Sequence, residues 1–208
     1  MKKMKLFPYA AFTAVVLLAA VAGHAQESNL QMKIGYNVAS PLGSFKSDVA
    51  GNTSFRGFNA ELAYPVSNRF QIGLNVLYND FYEKFPRQTY KTDQGTLSAV
   101  ITNSVQTLPL LAKVNYNLIT HGMVQPYVGA GAGVNFITYK QYLGEFPSGK
   151  NAFKPALSGD LGVNIPFTRL QHAGVNAGAS YNYMPFSYNG ISNFNNWGVH
   201  AGVFFTLH

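Results

Sequence analysis

The chain has 208 residues, enough for one domain; 11% of them are charged, none is cysteine, and the formal net charge is +7. The missing cysteine excludes a disulfide scaffold, a Cys-ligated zinc site and a thiol nucleophile. Soluble domains carry about 25% charged residues, so much of this exterior is not expected to face water.

The first 25 residues have the features of a secretory signal peptide. Three lysines among the first five residues are followed by an apolar run over 12–22 and by the small residues Gly23 and Ala25. The run of about 11 apolar residues is shorter than the roughly 20 that a membrane-spanning helix needs. We therefore predict a cleaved signal peptide over 1–25 and one mature domain over 26–208.

The positive charge does not indicate a nucleic-acid partner. Removing the signal peptide lowers the formal charge from +7 to +4, because that segment holds three lysines and no acidic residue. The remaining Lys and Arg residues are scattered, without a basic run or a nucleic-acid-binding motif. No nucleic-acid partner is expected.

From Leu30 onward, apolar and polar residues alternate with period two, which predicts β-strands. Over 30–38, for example, Leu, Met, Ile, Tyr and Val alternate with Gln, Lys, Gly and Asn. Eight such segments occur, at about 30–38, 57–64, 70–78, 108–117, 128–136, 157–165, 174–183 and 197–207.

The connections between these segments alternate in length. The long ones are predicted at about 41–54, 80–103, 138–152 and 185–194, and the short ones at about 65–68, 119–124 and 166–171. Outer-membrane barrels have short periplasmic turns and longer external loops. The pattern predicts an all-β fold, an eight-stranded antiparallel up-and-down transmembrane β-barrel with both termini on the periplasmic side.

Alternation is also compatible with a soluble barrel whose apolar side points inward. The polar positions decide between the two, because they hold mostly Gly, Asn, Ser and Gln rather than the Lys and Glu of a water-exposed surface. This composition suits a narrow, wet interior and favours an apolar side that faces lipid.

Three passages resemble the small outer-membrane β-barrel family of OmpA-like and OmpX-like domains, in its barrel-only form. They are 108–113, 125–133 and the closing strand. The family's carboxyl-terminal assembly signal is matched in register by His200, Gly202, Phe205 and Leu207. The resemblance implies a porin-like protein of the bacterial outer membrane, surrounded by lipid and lipopolysaccharide, whose last strand is read by the barrel-assembly machinery.

Four charged residues fall on the polar, inward side of the strands: Lys33, Glu61, Lys113 and Asp160. Lys33 and Glu61 lie near the same end of adjacent strands, and Lys113 and Asp160 lie at similar depths across the lumen. Because buried charges need partners, we expect two ion pairs in a filled interior. A gated ion path or a proton relay is the alternative.

The sequence contains no recognisable enzyme site. A serine hydrolase needs serine, histidine and a carboxylate within reach of one another. Lipid A deacylase barrels carry a His-any-Ser pair, and no histidine here is followed by serine two positions later. No two histidines have metal-ligand spacing. We expect no catalytic residue, cofactor or metal.

The connection over 80–103 holds the candidate surface contacts Tyr82, Lys84, Arg87, Tyr90 and Lys91. Aromatic and cationic side chains of this kind can bind lipopolysaccharide or another protein; alternatively, they belong to a hydrated loop whose aromatics extend the hairpin. The sequence therefore predicts a structural or surface-interaction role through external loops. The alternative is a narrow channel or transporter for small solutes or apolar compounds, and the surface ligand stays open.

Overall fold

The computed structural model describes residues 30–92, 95–143, 146–167, 172–188 and 190–207. The signal peptide predicted over 1–25 lies outside these described residues. In the described part of the chain, no helix is long and apolar enough to span a bilayer.

The elements in chain order are β1 (Leu30–Pro41), α1 (Ser44–Asp48), β2 (Ser54–Pro65), β3 (Phe70–Lys84), β4 (Gln88–Thr92), β5 (Gly95–Ala99), β6 (Ile101–Asn117), β7 (Gln125–Leu143), β8 (Phe146–Pro166), β9 (Ala173–Tyr183), β10 (Pro185–Tyr188), β11 (Ile191–Asn193) and β12 (Asn196–Leu207).

Eight of these strands form one closed antiparallel barrel in the order β1-β2-β3-β6-β7-β8-β9-β12. The first and last strands pair from Leu30↔Leu207 to Pro41↔Asn196, which closes the ring. All eight predicted segments lie within these eight strands. The predicted all-β, eight-stranded, up-and-down antiparallel barrel is confirmed.

In the half of the barrel nearer the short turns, the outward face is apolar and the inward face is mostly polar. On β3, Phe70 and Ile72 point outward and are 48% and 47% exposed, whereas Gln71 and Asn75 point inward and are buried. This arrangement is the reverse of a water-soluble protein, in which large apolar side chains are mostly inside. It provides an apolar band that suits a hydrocarbon environment.

Aromatic pairs mark the two edges of that band. Phe70 and Tyr116 pack at the short-turn end, with ring centroids 4.9 Å apart. At the long-connection end, Phe58 stacks on Tyr78 at 5.3 Å. Aromatic rings of this kind favour membrane interfaces because one end is apolar and the other can be hydrated.

Three of the four connections predicted as long loops, 80–103, 138–152 and 185–194, are mostly strand, so those three predictions were wrong. β3 continues to Lys84 and β6 begins at Ile101, while β7 and β8 pair up to Leu143↔Phe146. Beyond the apolar band the outward residues are polar as well, as Lys140 illustrates, so hydrophobic alternation ends although the backbone ladder continues.

Inside the barrel, the end with the long connections is closed by an apolar cluster, here called the apolar cap. Its members come from α1 and the two residues after it, from the wall strands, and from the β10–β11 hairpin with the residues that flank it: Ala39, Phe45, Val49, Ala50, Phe81, Val105, Ile137, Tyr139, Met184, Phe186, Ile191 and Phe194. Phe45 of α1 lies at its centre, with ring centroids 4.9 Å from both Phe81 and Phe194. The sequence pattern did not indicate this cluster.

Candidate functional site

The four inward charges form one network in the half of the lumen nearer the short turns. Lys33 Nζ lies 3.2 Å from Glu61 Oε1 on the neighbouring strand. Lys113 Nζ donates to Glu61 Oε2 at 2.7 Å and lies 3.0 Å from Asp160 Oδ1. All four residues are buried. The structure therefore brings Lys33 next to Glu61 and Lys113 next to Asp160, and Glu61 joins the two pairs.

Neutral groups complete the network. Asn115 Nδ2 donates to Glu61 Oε1 at 2.6 Å, and Lys33 Nζ lies 4.7 Å from the centre of the Tyr127 ring. The Tyr127 hydroxyl accepts from Asn176 Nδ2 at 3.3 Å and lies 3.5 Å from His200 Nε2. The sequence analysis did not predict these contacts. The inward position of Asn115 could have indicated one of them, its hydrogen bond to Glu61. The charges of the two lysines and the two carboxylates sum to zero. Ion pairs and amide hydrogen bonds together hold the network.

Glycines on the inward face provide the space that these side chains occupy. A Cβ at Gly129 would lie 2.6 Å from Asp160 Oδ1 and 2.5 Å from Asn115 Oδ1. A Cβ at Gly162 would lie 2.7 Å from the Tyr127 hydroxyl. Glycine is tolerated in a strand where another group approaches the backbone closely. The glycine-rich inward face is thus part of the network's construction.

Below the network, a cavity of about 390 Å³ lies at the short-turn end of the barrel. Its lining is neutral and polar and includes Gln31, Gln71, Asn117 and Asn164, with Phe204 beside them. Within the described residues, no three histidine or acidic side chains are placed to hold a metal ion.

At the opposite end of the barrel, three strands extend beyond the apolar band. β6, β7 and β8 have 17, 19 and 21 residues, whereas about 9 to 11 residues suffice for a tilted strand to cross a bilayer. Pairing of β8 with β9 ends at Leu157↔Tyr183. Residues 146–156 of β8 therefore have a ladder partner on the β7 side, and among the described residues no strand pairs with them on the other side, where Ser148 and Lys150 contact β10 through their side chains.

The hairpin β10–β11 supports this projecting part by side-chain contacts. Lys150 Nζ donates to the Ser187 carbonyl at 3.1 Å. The hydroxyls of Ser148 and Tyr188 lie 3.2 Å apart. These contacts join the outer part of the projecting β8 segment, near the hairpin tip, to the connection that precedes β12.

The predicted surface residues lie on and beyond β3. Tyr82 and Lys84 belong to β3, and Arg87 follows it; all three are exposed. The Arg56 guanidinium lies 5.8 Å from the Tyr82 ring and 3.6 Å from Asp80 Oδ2. Tyr90 and Lys91 lie outside the residues whose side chains the structure describes.

The proposed assembly-signal residues occupy both faces of β12. His200 and Gly202 point inward, and Phe205 and Leu207 point outward. Gly202 pairs with Gly35, and a Cβ at this position would collide with the Ile34 carbonyl of β1. Glycine is therefore required where the first and last strands meet.

Comparison with known proteins gives a consistent result. A family model described as outer membrane protein beta-barrel domain matches residues 11–205. Among solved structures, Neisserial surface protein A is 19% identical, with a TM-score of 0.51, covering 86% of this chain and 96% of that chain. OprG from Pseudomonas aeruginosa is 16% identical, with a TM-score of 0.51 and coverages of 86% and 95%. No curated protein sequence matches this chain.

Proposed function

The chain belongs to the outer membrane protein β-barrel domain family and is an integral protein of the bacterial outer membrane, and from this premise we propose that it is a surface-interaction protein. The binding region is the projecting part of the barrel wall, formed by residues 101–106 of β6, 138–143 of β7 and 146–152 of β8, here called the outer wall. The short turns of such barrels face the periplasm, so the outer wall faces the outside of the cell. The proposal takes 1–25 as the signal peptide and 26–208 as the mature domain.

The open edge of β8 is the observation that carries the proposal. A strand edge presents unpaired N–H and C=O groups that an extended partner segment can pair with. Pro147 and Pro155 lack an N–H, so an added strand would pair with residues 148–154 between them. β7 pairs with the other side of this segment, and β10 contacts the side chains of Ser148 and Lys150.

The contents of the lumen weigh against the alternative role as a channel. The buried ion network crosses the lumen above the short-turn cavity, and the apolar cap occupies the end with the long connections. An eight-stranded barrel leaves room for little beyond its own side chains. The proposal contains no catalytic step.

The test removes the outer wall and keeps the barrel. In one variant, residues 138–151 are replaced by Asn-Gly, a two-residue hairpin turn, between the paired Ile137 and Ala152. In the matched control, the same turn replaces residues 89–98 between the paired Gln88 and Ala99, which removes the β4–β5 hairpin.

Both variants are displayed on cells, and heat-modifiable gel mobility reports whether the barrel is folded. We expect the first variant to lose adhesion to surfaces coated with matrix protein or polysaccharide, and the control variant to retain it. Undiminished adhesion of the first variant, at equal surface level, would refute a binding role for the outer wall.

A further inference from the structure

Outward residues of β3, β6 and β7 form two rows of ladder neighbours above the apolar band. The residues between them point inward, as Asn103 and Gln141 do, and the Gln141 amide donates to Asn103 Oδ1 at 3.1 Å. This surface, here called the outward patch, consists of the row Lys84–Thr102–Tyr142 and, one step nearer the membrane, the row Tyr82–Ser104–Lys140. Each row offers an ammonium group, an aliphatic hydroxyl and an aromatic ring, in opposite order across β6.

The two lysines of the outward patch are exposed, and none of the ion pairs among the described residues includes them. The carboxylates on the same part of β3 have other contacts. Asp80 lies 3.6 Å from the Arg56 guanidinium. Glu83 points inward and accepts the backbone N–H groups of Gly51 and Asn52. Because like charges on one exposed face create a positive potential, the outward patch attracts anionic groups.

The spacing of the two lysines suits a ligand with two anionic groups. Lys84 and Lys140 are separated by one strand and offset by two residues in the ladder. Their Cα atoms are therefore about 12 Å apart, at roughly 4.8 Å per strand and 3.3 Å per residue. The hydroxyls of Thr102 and Ser104 lie between them on β6. A ligand that bridges the lysines must therefore present hydroxyls or ring oxygens in its middle, as a sugar unit does.

The outward patch lies at the height of lipid headgroups. Leu108 and Phe136, which are 37% and 49% exposed, are the last apolar outward residues on β6 and β7 below it. Lys140 lies four residues beyond Phe136, which is about 13 Å along the strand and about 9 Å along the membrane normal for a strand tilted by roughly 45°. Lysine stems can extend back toward the headgroups. The ligand is therefore expected to be a lipid, with its acyl chains against Leu108 and Phe136.

From these observations we propose that the outward patch binds a glycolipid of the outer leaflet whose disaccharide headgroup carries two phosphates, the chemistry of lipid A. Each lysine contacts one phosphate, and Thr102 and Ser104 hydrogen bond to the sugars between them. Tyr82 and Tyr142, 47% and 37% exposed, flank the headgroup on opposite sides of β6. Charge-assisted hydrogen bonds supply the strongest contacts of such a site. This inference goes beyond the surface-interaction function, because the ligand belongs to the protein's own membrane.

The test uses the full mature chain in detergent micelles, with native mass spectrometry to count bound lipids. The probes are diphosphorylated lipid A, monophosphorylated lipid A and phosphatidylglycerol. We expect the diphosphorylated lipid to bind at least about tenfold more tightly than the other two, which corresponds to about 1.4 kcal/mol. In Lys84→Gln/Lys140→Gln this preference is expected to disappear, because both phosphate contacts are removed. Tyr142→Ala is expected to weaken binding of both glycolipids and to leave the preference for the second phosphate unchanged.

The matched control is Lys46→Gln/Arg69→Gln, which removes the same charge from exposed residues of α1 and of the short turn before β3. We expect its affinity for diphosphorylated lipid A to stay within about twofold of wild type, because screening weakens distant exposed charges. Heat-modifiable gel mobility shows that each variant is folded. Equal losses in the two double variants would mean general charge attraction and would overturn the outward patch. Equally tight binding of phosphatidylglycerol to the wild type would mean that the sugar is not recognised, which would overturn the glycolipid ligand.

The two proposals fail in different ways. If the truncation of 138–151 abolishes adhesion but Lys84→Gln/Lys140→Gln still prefers the diphosphorylated lipid, the inference about the outward patch is wrong and the surface role stands. If the truncated chain adheres normally while Lys84→Gln/Lys140→Gln loses the preference, the surface role is wrong and the outward patch stands.

Discussion

Among single residues, Glu61 is the carboxylate that joins the two lysines of the lumen network, and we expect the stability of the network to depend on it most. Both Lys33 and Lys113 contact its carboxylate, and Asn115 donates to it as well. Replacing Glu61 by Gln would leave two buried ammonium groups with one carboxylate between them. Because breaking a buried pair leaves an uncompensated charge, we expect Glu61→Gln to destabilise the barrel by about 3 to 5 kcal/mol. Urea unfolding followed by heat-modifiable gel mobility measures this.

Two further variants serve as controls for Glu61→Gln. Asp160→Asn removes one contact of Lys113, which still reaches Glu61 at 2.7 Å, so its effect should be smaller. Lys33→Met with Glu61→Met removes a whole pair and leaves Lys113 with Asp160, and such replacements are often close to neutral. An effect of Asp160→Asn as large as that of Glu61→Gln would contradict the central role of Glu61.

The sequence allowed part of this network to be predicted. Period-two alternation places Lys33, Glu61, Lys113 and Asp160 on the inward face, and the order of strands brings Lys33 beside Glu61. The contact between Glu61 and Lys113 could not be predicted from adjacency, because β2 and β6 are separated by β3 in the sheet. It depends on the curvature of a narrow barrel, which alternation does not encode.

Among the elements, α1 depends on the barrel for its structure. It has only five residues, follows Gly43 at a positive φ of 57°, and has no side-chain cap. A helix of this length is not stable alone in water, so the packing of Phe45 in the apolar cap must hold it. We expect Phe45→Ala to destabilise the docked state by about 3 to 5 kcal/mol, the usual effect of emptying a buried phenylalanine site.

This effect should be local. Hydrogen exchange of residues 43–50 is expected to increase strongly in Phe45→Ala, while the barrel strands remain protected. Lys46→Gln, an exposed substitution on the same helix, is the matched control and should exchange like wild type. Unchanged protection of 43–50 in Phe45→Ala would mean that other contacts hold the helix.

The closing strand β12 provides a second prediction about an element. If the barrel-assembly machinery reads Phe205 as part of a signal with His200, Gly202 and Leu207, then Phe205→Ala should lower the amount of folded barrel in cells several-fold. Val203→Ala, two residues earlier on the same outward face, removes apolar surface without touching the signal. Pulse-chase assembly in cells measures both. Equal losses in the two variants would indicate that lipid-facing apolar area, rather than the signal, is responsible.

The strands were predicted correctly where the membrane imposes opposite chemistry on the two faces. That contrast ends above the apolar band, where Lys140 points outward and Gln141 inward, and both are polar. The ladder nevertheless continues to Leu143, so periodicity underestimated the hairpin by several residues on each strand. The apolar cap was missed for a related reason, since Phe45 and Phe194 are distant in sequence and meet only after the barrel has closed.

At the scale of the whole molecule, the lumen contains two layers of different chemistry, and we expect both of them to close it. Lys33 of the ion network and Ala39 of the apolar cap both lie on the inward face of β1, about 20 Å apart along the strand at roughly 3.3 Å per residue. Water and ions moving through the barrel would have to pass both layers in series. We therefore expect no stable large conductance from the wild-type protein in planar bilayers.

If the two layers close the lumen one after the other, disrupting one layer should leave the other intact and the lumen still closed. Phe45→Ala with Phe194→Ala loosens the apolar cap, and Glu61→Ala with Lys113→Ala loosens the ion network. Neither double variant alone is expected to conduct ions, because the remaining layer still fills the narrow lumen. The fourfold variant, provided that its gel mobility shows a folded barrel, should give discrete single-channel currents. A stable large conductance in the wild type would refute the closed lumen, and conduction by the network variant alone would mean that the apolar cap does not exclude water and ions.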